Sequence, residues 1–291
     1  VVVGPGGRAI GVRWFGAPAD ADGPVVLWCH GGLSCAADGI VLDGPARQRG
    51  LRVLAIDRPG IGASALHPGR TTGSFTDDVV AVLDGLDLGA TAGAVGWSLG
   101  GQYALAAARI PTRVPAAAVV AGVPPLTWPG TRRSLSTLDR SLLSLAHGRV
   151  PEAVARAGFA AVGRANARAA ARSGPRPSRM QVRTLGEVDA AVMAGPLGPA
   201  IEQAIADGTS SAAGSLEEYR AWWRPWGFEP AEVSVPVTVW RGDQDRLVGA
   251  DAVRDLAAAL PSASTQLVPG VGHLLLADGD LAGRVLDDLL A

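Results

Sequence analysis

Lysine is missing from this chain: all 26 of its basic residues are arginine. Chemistry that needs a lysine Schiff base or a lysine general base is therefore excluded. Cysteine is scarce, with only Cys29 and Cys35, which flank a His-Gly-Gly turn. Two are too few for a disulfide scaffold in a chain of this size, and no Cys/His spacing resembles a zinc site. They read as one buried strand cysteine and one loop cysteine near a pocket. Charge of one sign is also lacking: the net charge of −1 offers nothing to attract nucleic acid or an anionic membrane. No apolar run is long enough for a membrane span, and Val1-Val2-Val3 lack the charged region and cleavage pattern of a signal peptide, so a cytoplasmic location is the expectation. What the chain does have is 291 residues, 48% of them hydrophobic and only 18% charged, enough to bury a large core in one or two domains.

The apolar residues come in short continuous runs. Val1–Val3 and Arg8–Phe15 read as two strands joined across Gly4-Pro5-Gly6-Gly7, an opening hairpin. Val25–His30, Arg52–Asp57, Ala92–Trp97, Ala116–Val123, Val235–Arg241 and Thr265–Val268 follow, apolar throughout, as strands buried on both faces of a parallel sheet are. Helical patterns separate several of them. Ser74–Leu86 opens on Ser74-x-x-Asp77, close to a capping box, and further patterns run over Leu99–Arg109 and Asp251–Leu260. The alternation predicts an α/β sheet with crossover helices. Between Pro124 and Glu232 the rhythm changes to alanine-, leucine- and arginine-rich helix, over Ser134–Ala146, Pro151–Arg172, Arg179–Met193, Leu197–Ala206 and Ser215–Trp223. The last starts on Ser215-x-x-Glu218, and Gly174-Pro175-Arg176-Pro177 and Gly208–Gly214 read as breaks. The division expected is a core at 1–123 and 233–291 with an all-helical lid at 124–232.

Gly96-Trp97-Ser98-Leu99-Gly100 fits G-x-S-x-G, between a strand pattern and a helix pattern. A serine at such a corner sits on a tight turn that exposes its hydroxyl. That hydroxyl is a weak nucleophile until a base takes its proton, and the base needs a third group to hold its tautomer. Of the four histidines, His30, His67, His147 and His273, only His273 follows the late acidic candidates. Those candidates stand in Gly242-Asp243-Gln244-Asp245, straight after a strand pattern: Asp245 is preferred, with Asp243 the alternative. An oxyanion hole needs two backbone N–H groups. Leu99, following the serine at a helix start, supplies one, and His30-Gly31-Gly32 makes Gly32 the candidate for the other. His30 and Trp97 are candidates for substrate contact, although His30 also reads as support for the oxyanion loop and Trp97 as packing under the elbow. Asp57-Arg58 reads as scaffolding. Trp222, Trp223 and Trp226 read as lid packing or pocket lining, and His67 and His147 as surface or lid residues.

Five motifs in order, His30-Gly31-Gly32, Asp57–Ser64, Gly96–Gly100, Gly242–Asp245 and Gly272-His273, resemble those of the α/β-hydrolase fold superfamily in its lidded form. Pro225-Trp226-Gly227-Phe228 resembles the return from lid to sheet in bacterial members. The resemblance implies a mostly parallel sheet flanked by helices, with Ser98, Asp245 and His273 as nucleophile, orienting acid and base. It implies a hydrolase of an ester, thioester or lactone of a small apolar substrate, with no metal or organic cofactor. One departure is Gly32-Leu33-Ser34, where many members carry proline soon after the first His-Gly. Ser98 disfavours the aspartate-nucleophile epoxide hydrolases and dehalogenases, and the lack of lysine disfavours lysine-assisted cyanohydrin lyases. Carbon–carbon bond hydrolases and cofactor-free perhydrolases share the triad, and a non-catalytic ligand-binding protein on the same fold is a further alternative. The sequence carries no signal for an oligomeric state.

Overall fold

The computed structural model describes residues 1–172, 174 and 176–291. The expected break at Gly174–Pro177 includes Pro175, which with Ser173 lies outside the described residues. Strands β1 (Val2–Val3) and β2 (Ala9–Ile10) form a small antiparallel ribbon. The single strand expected over Arg8–Phe15 is split at Gly11, whose N–H turns aside to the Ser64 hydroxyl at 2.9 Å. Beyond it the chain enters the main sheet as β3 (Val12–Gly16). There follow β4 (Val25–Cys29), α1 (Asp43–Gln48), β5 (Arg52–Ile56), α2 (Phe75–Gly85), β6 (Gly93–Trp97), α3 (Gly100–Ala107) and β7 (Ala117–Val120). A helical stretch comes next: α4 (Thr131–Ser134), α5 (Thr137–His147), α6 (Glu152–Ala170), α7 (Arg179–Leu185), α8 (Glu187–Met193), α9 (Gly198–Gly208) and α10 (Ala212–Trp223). The chain then completes the sheet with β8 (Val237–Gly242), α11 (Ala250–Ala259), β9 (Ala263–Val268) and α12 (Gly279–Leu290).

The main sheet has seven strands in the order β3-β5-β4-β6-β7-β8-β9. Every neighbour pair is parallel except β3 with β5. Period-two side-chain alternation divides the core in two. On β4, Val25, Leu27 and Cys29 join the cluster that contains α2, α3 and α11 residues, whereas Val26 and Trp28 join the one that contains α1 and α12 residues. Helices thus cover both faces, and the continuous apolar runs of the inner strands follow from this. At the sheet edge β9 is different: Leu267 is exposed and only Val268 is buried.

Several helix starts and breaks differ from expectation. The pattern over Ser134–Ala146 splits into α4 and α5, because Ser136 caps α5 by accepting from the Asp139 N–H at 3.0 Å. The pattern over Arg179–Met193 splits at Gly186, which has φ 90° and ends α7. At α10 the cap is Ser211, which accepts from Gly214 N–H, so Ser215 and Glu218 lie inside the helix. Ser74 makes no side-chain cap bond, and its hydroxyl donates back to the Thr71 carbonyl at 2.8 Å. Among the described residues no helix is long and apolar enough to cross a membrane.

Candidate active site

The parallel strands deliver four loops to one edge of the sheet, the crevice outside the carboxyl ends where open α/β sheets place their sites. His30–Gly32 follow β4, Ser98 follows β6, Asp243–Asp245 follow β8 and Gly270–His273 follow β9. Ser98 is the corner residue, with φ 55°, a left-handed conformation that costs a non-glycine residue about 1–3 kcal/mol. Its N–H is tied to the Val120 carbonyl at 2.8 Å. The flanking glycines permit the crossing: a Cβ on Gly96 would stand 2.3 Å from the Gly100 carbonyl oxygen, and one on Gly100 would stand 2.0 Å from that of Cys29. Half-buried Ser98 thus stands on a turn that a side chain at position 96 or 100 would block.

Asp245 and His273 meet at 3.0 Å, Nδ1 to Oδ2, both buried. Asp243 is exposed, and its carboxylate accepts from Gly270 N–H and Gln244, so it does not reach the histidine. The other Asp245 oxygen accepts from Leu247 and Val248 N–H groups at 2.8 and 3.0 Å. Burial pushes the Asp245 carboxyl up, but His273 and these N–H donors outweigh it and hold it below the usual range. For His273 burial acts downward, and the carboxylates of Asp245, Asp189 and Asp139 outweigh it, leaving the imidazole above its ordinary value. With Nδ1–H committed to Asp245, Nε2 is the nitrogen free to act as a base. Trp97, one residue before Ser98, donates its indole N–H to the His273 carbonyl at 3.0 Å and links the two loops.

Gly32 lies against Leu99: a Cβ on it would be 3.4 Å from the Leu99 side chain. The loop that carries Gly32 is held from behind. Asp38 accepts from the Trp28 indole at 2.6 Å and from Gly31 N–H at 3.0 Å. Arg58 donates to the carbonyls of His30 and Gly31 and to Glu218 of α10. Glu218 also pairs with Arg70, which donates to the Tyr103 hydroxyl at 2.7 Å. His30 has no exposed surface. Its Nε2 accepts from the Arg58 N–H at 3.2 Å, so Nδ1 carries the proton and donates to the Gly31 carbonyl at 2.9 Å. Burial, with the Arg58 cation beside it, holds this imidazole neutral well below its usual range. Of the two readings of His30, substrate contact and support of the loop, these bonds and its burial favour support. Buried Trp97 likewise serves the loop junction.

The remaining candidates lie elsewhere. Asp57 accepts from the N–H groups of Ala36 and Ala63, a scaffold as expected, and both cysteines are free and buried. Trp222 and Trp226 are buried, and Trp223 stacks on His147 with ring centroids 4.7 Å apart while the Arg132 guanidinium lies over the Trp223 ring, 3.8 Å from its centroid. Among the described residues, no three or more His, Cys, Asp or Glu gather as a metal-binding set. Asp38, Arg70 and Asp189 carry no sequence signal, since a single charged residue in a loop or helix has no telling spacing, and Glu218, read as part of a helix start, pairs with Arg58 and Arg70 instead.

With the loops in place, the chain can be set beside known proteins. The family model for the alpha/beta hydrolase fold matches residues 24–280. The chain belongs to this family. Comparison with curated protein sequences returns no match. Solved structures similar to this α/β hydrolase include an esterase from Exiguobacterium antarcticum, 14% identical with a TM-score of 0.71, over 99% of this chain and 98% of that one. An enol-lactonase from Burkholderia xenovorans is 18% identical with a TM-score of 0.67, over 98% and 97%. A bromoperoxidase from Bacillus anthracis is 19% identical with a TM-score of 0.67, over 100% and 99%. At these identities the likeness is one of fold.

Proposed function

We propose that this α/β hydrolase is a serine hydrolase of an ester, thioester or lactone, working through Ser98, His273 and Asp245. The observation that carries the reading is the buried 3.0 Å Asp245–His273 pair, on a loop bonded through Trp97 to the strained Ser98 corner. In this scheme Ser98 Oγ attacks the acyl carbon while His273 Nε2 takes its proton, and Asp245 stabilises the imidazolium that forms. The N–H groups of Leu99 and Gly32 receive the charge developing on the carbonyl oxygen, Leu99 at the start of α3 where the helix dipole favours an anion. The proton passes to the leaving oxygen or sulfur, and water activated by His273 then releases the acid. Residues 124–232 act as a lid. An apolar acyl group suits the immediate neighbours of Ser98, because Trp97 and Leu99 on either side of it are apolar and buried. The esterase and lactonase names of similar structures support this reading over carbon–carbon cleavage, and the bromoperoxidase name makes perhydrolysis the rival to test.

A fluorophosphonate probe tests the nucleophile. It is expected to label the wild-type protein at Ser98 and to leave Ser98→Ala unlabelled; labelling that survives the substitution sinks the proposal. A panel of p-nitrophenyl esters of rising chain length, with lactone and thioester controls and an acetate-plus-peroxide arm, then selects among the bond types.

A further inference from the structure

The loop that carries His273 is held by a group from outside the sheet. Asp189, on the short helix α8 of the helical stretch, is 1% exposed. One carboxylate oxygen accepts from the His273 N–H at 2.8 Å and the other from the Leu274 N–H at 2.9 Å. The grip is close enough to dictate the loop sequence, since a Cβ on Gly272 would lie 2.3–2.4 Å from the carboxylate atoms. Burying a carboxylate is costly unless it is well paired, so one spent on two successive backbone amides of a single loop is a built contact. Its partners are the amide of the proposed base and the next one along the chain.

We propose that Asp189 is a positioning residue for His273: from α8 it fixes the backbone of the base loop, and so the approach of the imidazole to Ser98. The inference rests on His273 being the base. Three carboxylates bear on that imidazole, Asp245 from the loop after β8, Asp189 from α8 and Asp139 from α5, and each favours its protonated form. Asp189 thus acts in two separable ways. Its geometry sets where the ring stands, and its charge adds to the pull of Asp245 on the proton. Geometry matters steeply here, because a displacement of about 1 Å costs up to about a hundredfold in rate.

The two effects are read by different measurements. Only four histidines are present, so the His273 imidazole is assignable by NMR from the signal lost in His273→Asn. In Asp189→Asn, with p-nitrophenyl acetate as substrate, kcat is expected to fall about tenfold or more with KM little changed. The His273 titration midpoint should move down by about half a unit or more, carrying the acidic limb of kcat/KM with it. Gly272→Ala keeps the charge but forces the carboxylate from its seat, and should lower kcat with a smaller change in midpoint. In an Asp189→Ala background the added methyl has room, so the two substitutions should combine less than additively. Should Asp189→Asn fail to fold, the Gly272→Ala pair decides the question. Wild-type kcat and an unmoved midpoint in Asp189→Asn, or wild-type kcat in Gly272→Ala, overturn the proposal. A wild-type protein that fluorophosphonate does not label overturns the triad instead, and the NMR titration still reports whether Asp189 bears on His273.

Discussion

His273 carries the pH dependence of the proposed chemistry, because only its neutral form accepts the Ser98 proton. Carboxylates hold its pKa above the ordinary 6.5, so kcat/KM should rise with pH through a midpoint above 6.5. Asp245→Asn removes the largest of those attractions and should move the midpoint down while cutting the rate severely; a pH–rate profile of both proteins checks this. The stability sign runs the opposite way. A histidine whose pKa is raised on folding stabilises the fold below its unfolded value, and that contribution fades as pH climbs through the folded value. Ser98, Asp245 and His273 were legible in the sequence because each sits in a turn motif at a strand end, where spacing conveys geometry. Asp189 was not, because nothing in Glu187-Val188-Asp189 distinguishes a helix carboxylate that faces solvent from one that caps a distant loop.

At the level of elements, the strand–corner–helix unit from β6 to α3 depends on the lack of a side chain at Gly100. Gly100→Ala places a methyl 2.0 Å from the Cys29 carbonyl oxygen, and backbone cannot yield as a flexible side chain does. The expected cost is about 1–3 kcal/mol or more, with loss of Ser98 labelling as the corner shifts. Thermal unfolding and the fluorophosphonate probe measure the two effects. Strands and crossover helices were readable from their apolar runs, which require only a periodicity and a stop. The helical stretch was harder, because alanine- and leucine-rich sequence keeps its helical pattern straight across a real break. Gly186 looks like a tolerated interior glycine until its φ of 90° shows that it ends α7. Helix α10 starts before Ser215 because two serines compete for the cap, and Ser211 wins with the Gly214 N–H.

Across the whole molecule, the helical stretch is fastened to the sheet at both halves of the candidate site. Asp189 holds the His273 loop, and Glu218 holds Arg58, which in turn holds the carbonyls behind Gly32. Burial pushes the Glu218 carboxyl up, but Arg58 and Arg70 outweigh it and bring it from 4.5 down to about 2. Its contribution to stability is therefore complete above about pH 4.5 and is lost as pH falls toward 2. Glu218→Gln leaves two buried guanidinium groups short of their counter-charge. Urea unfolding at pH 7 should show a loss of about 3–5 kcal/mol, together with a flatter stability profile below pH 4.5.

The strand order has a consequence for synthesis. Five strands, β3 to β7, come from residues 12–120, and β8 pairs with β7 only after residues 121–236 have been made. On the ribosome the growing chain therefore carries β7 with an open row of backbone donors and acceptors while residues 121–236 are made. Such a row invites pairing with another chain. The helices that later fasten both halves of the site are synthesised in that same interval, when a nascent sheet has most need of a cover.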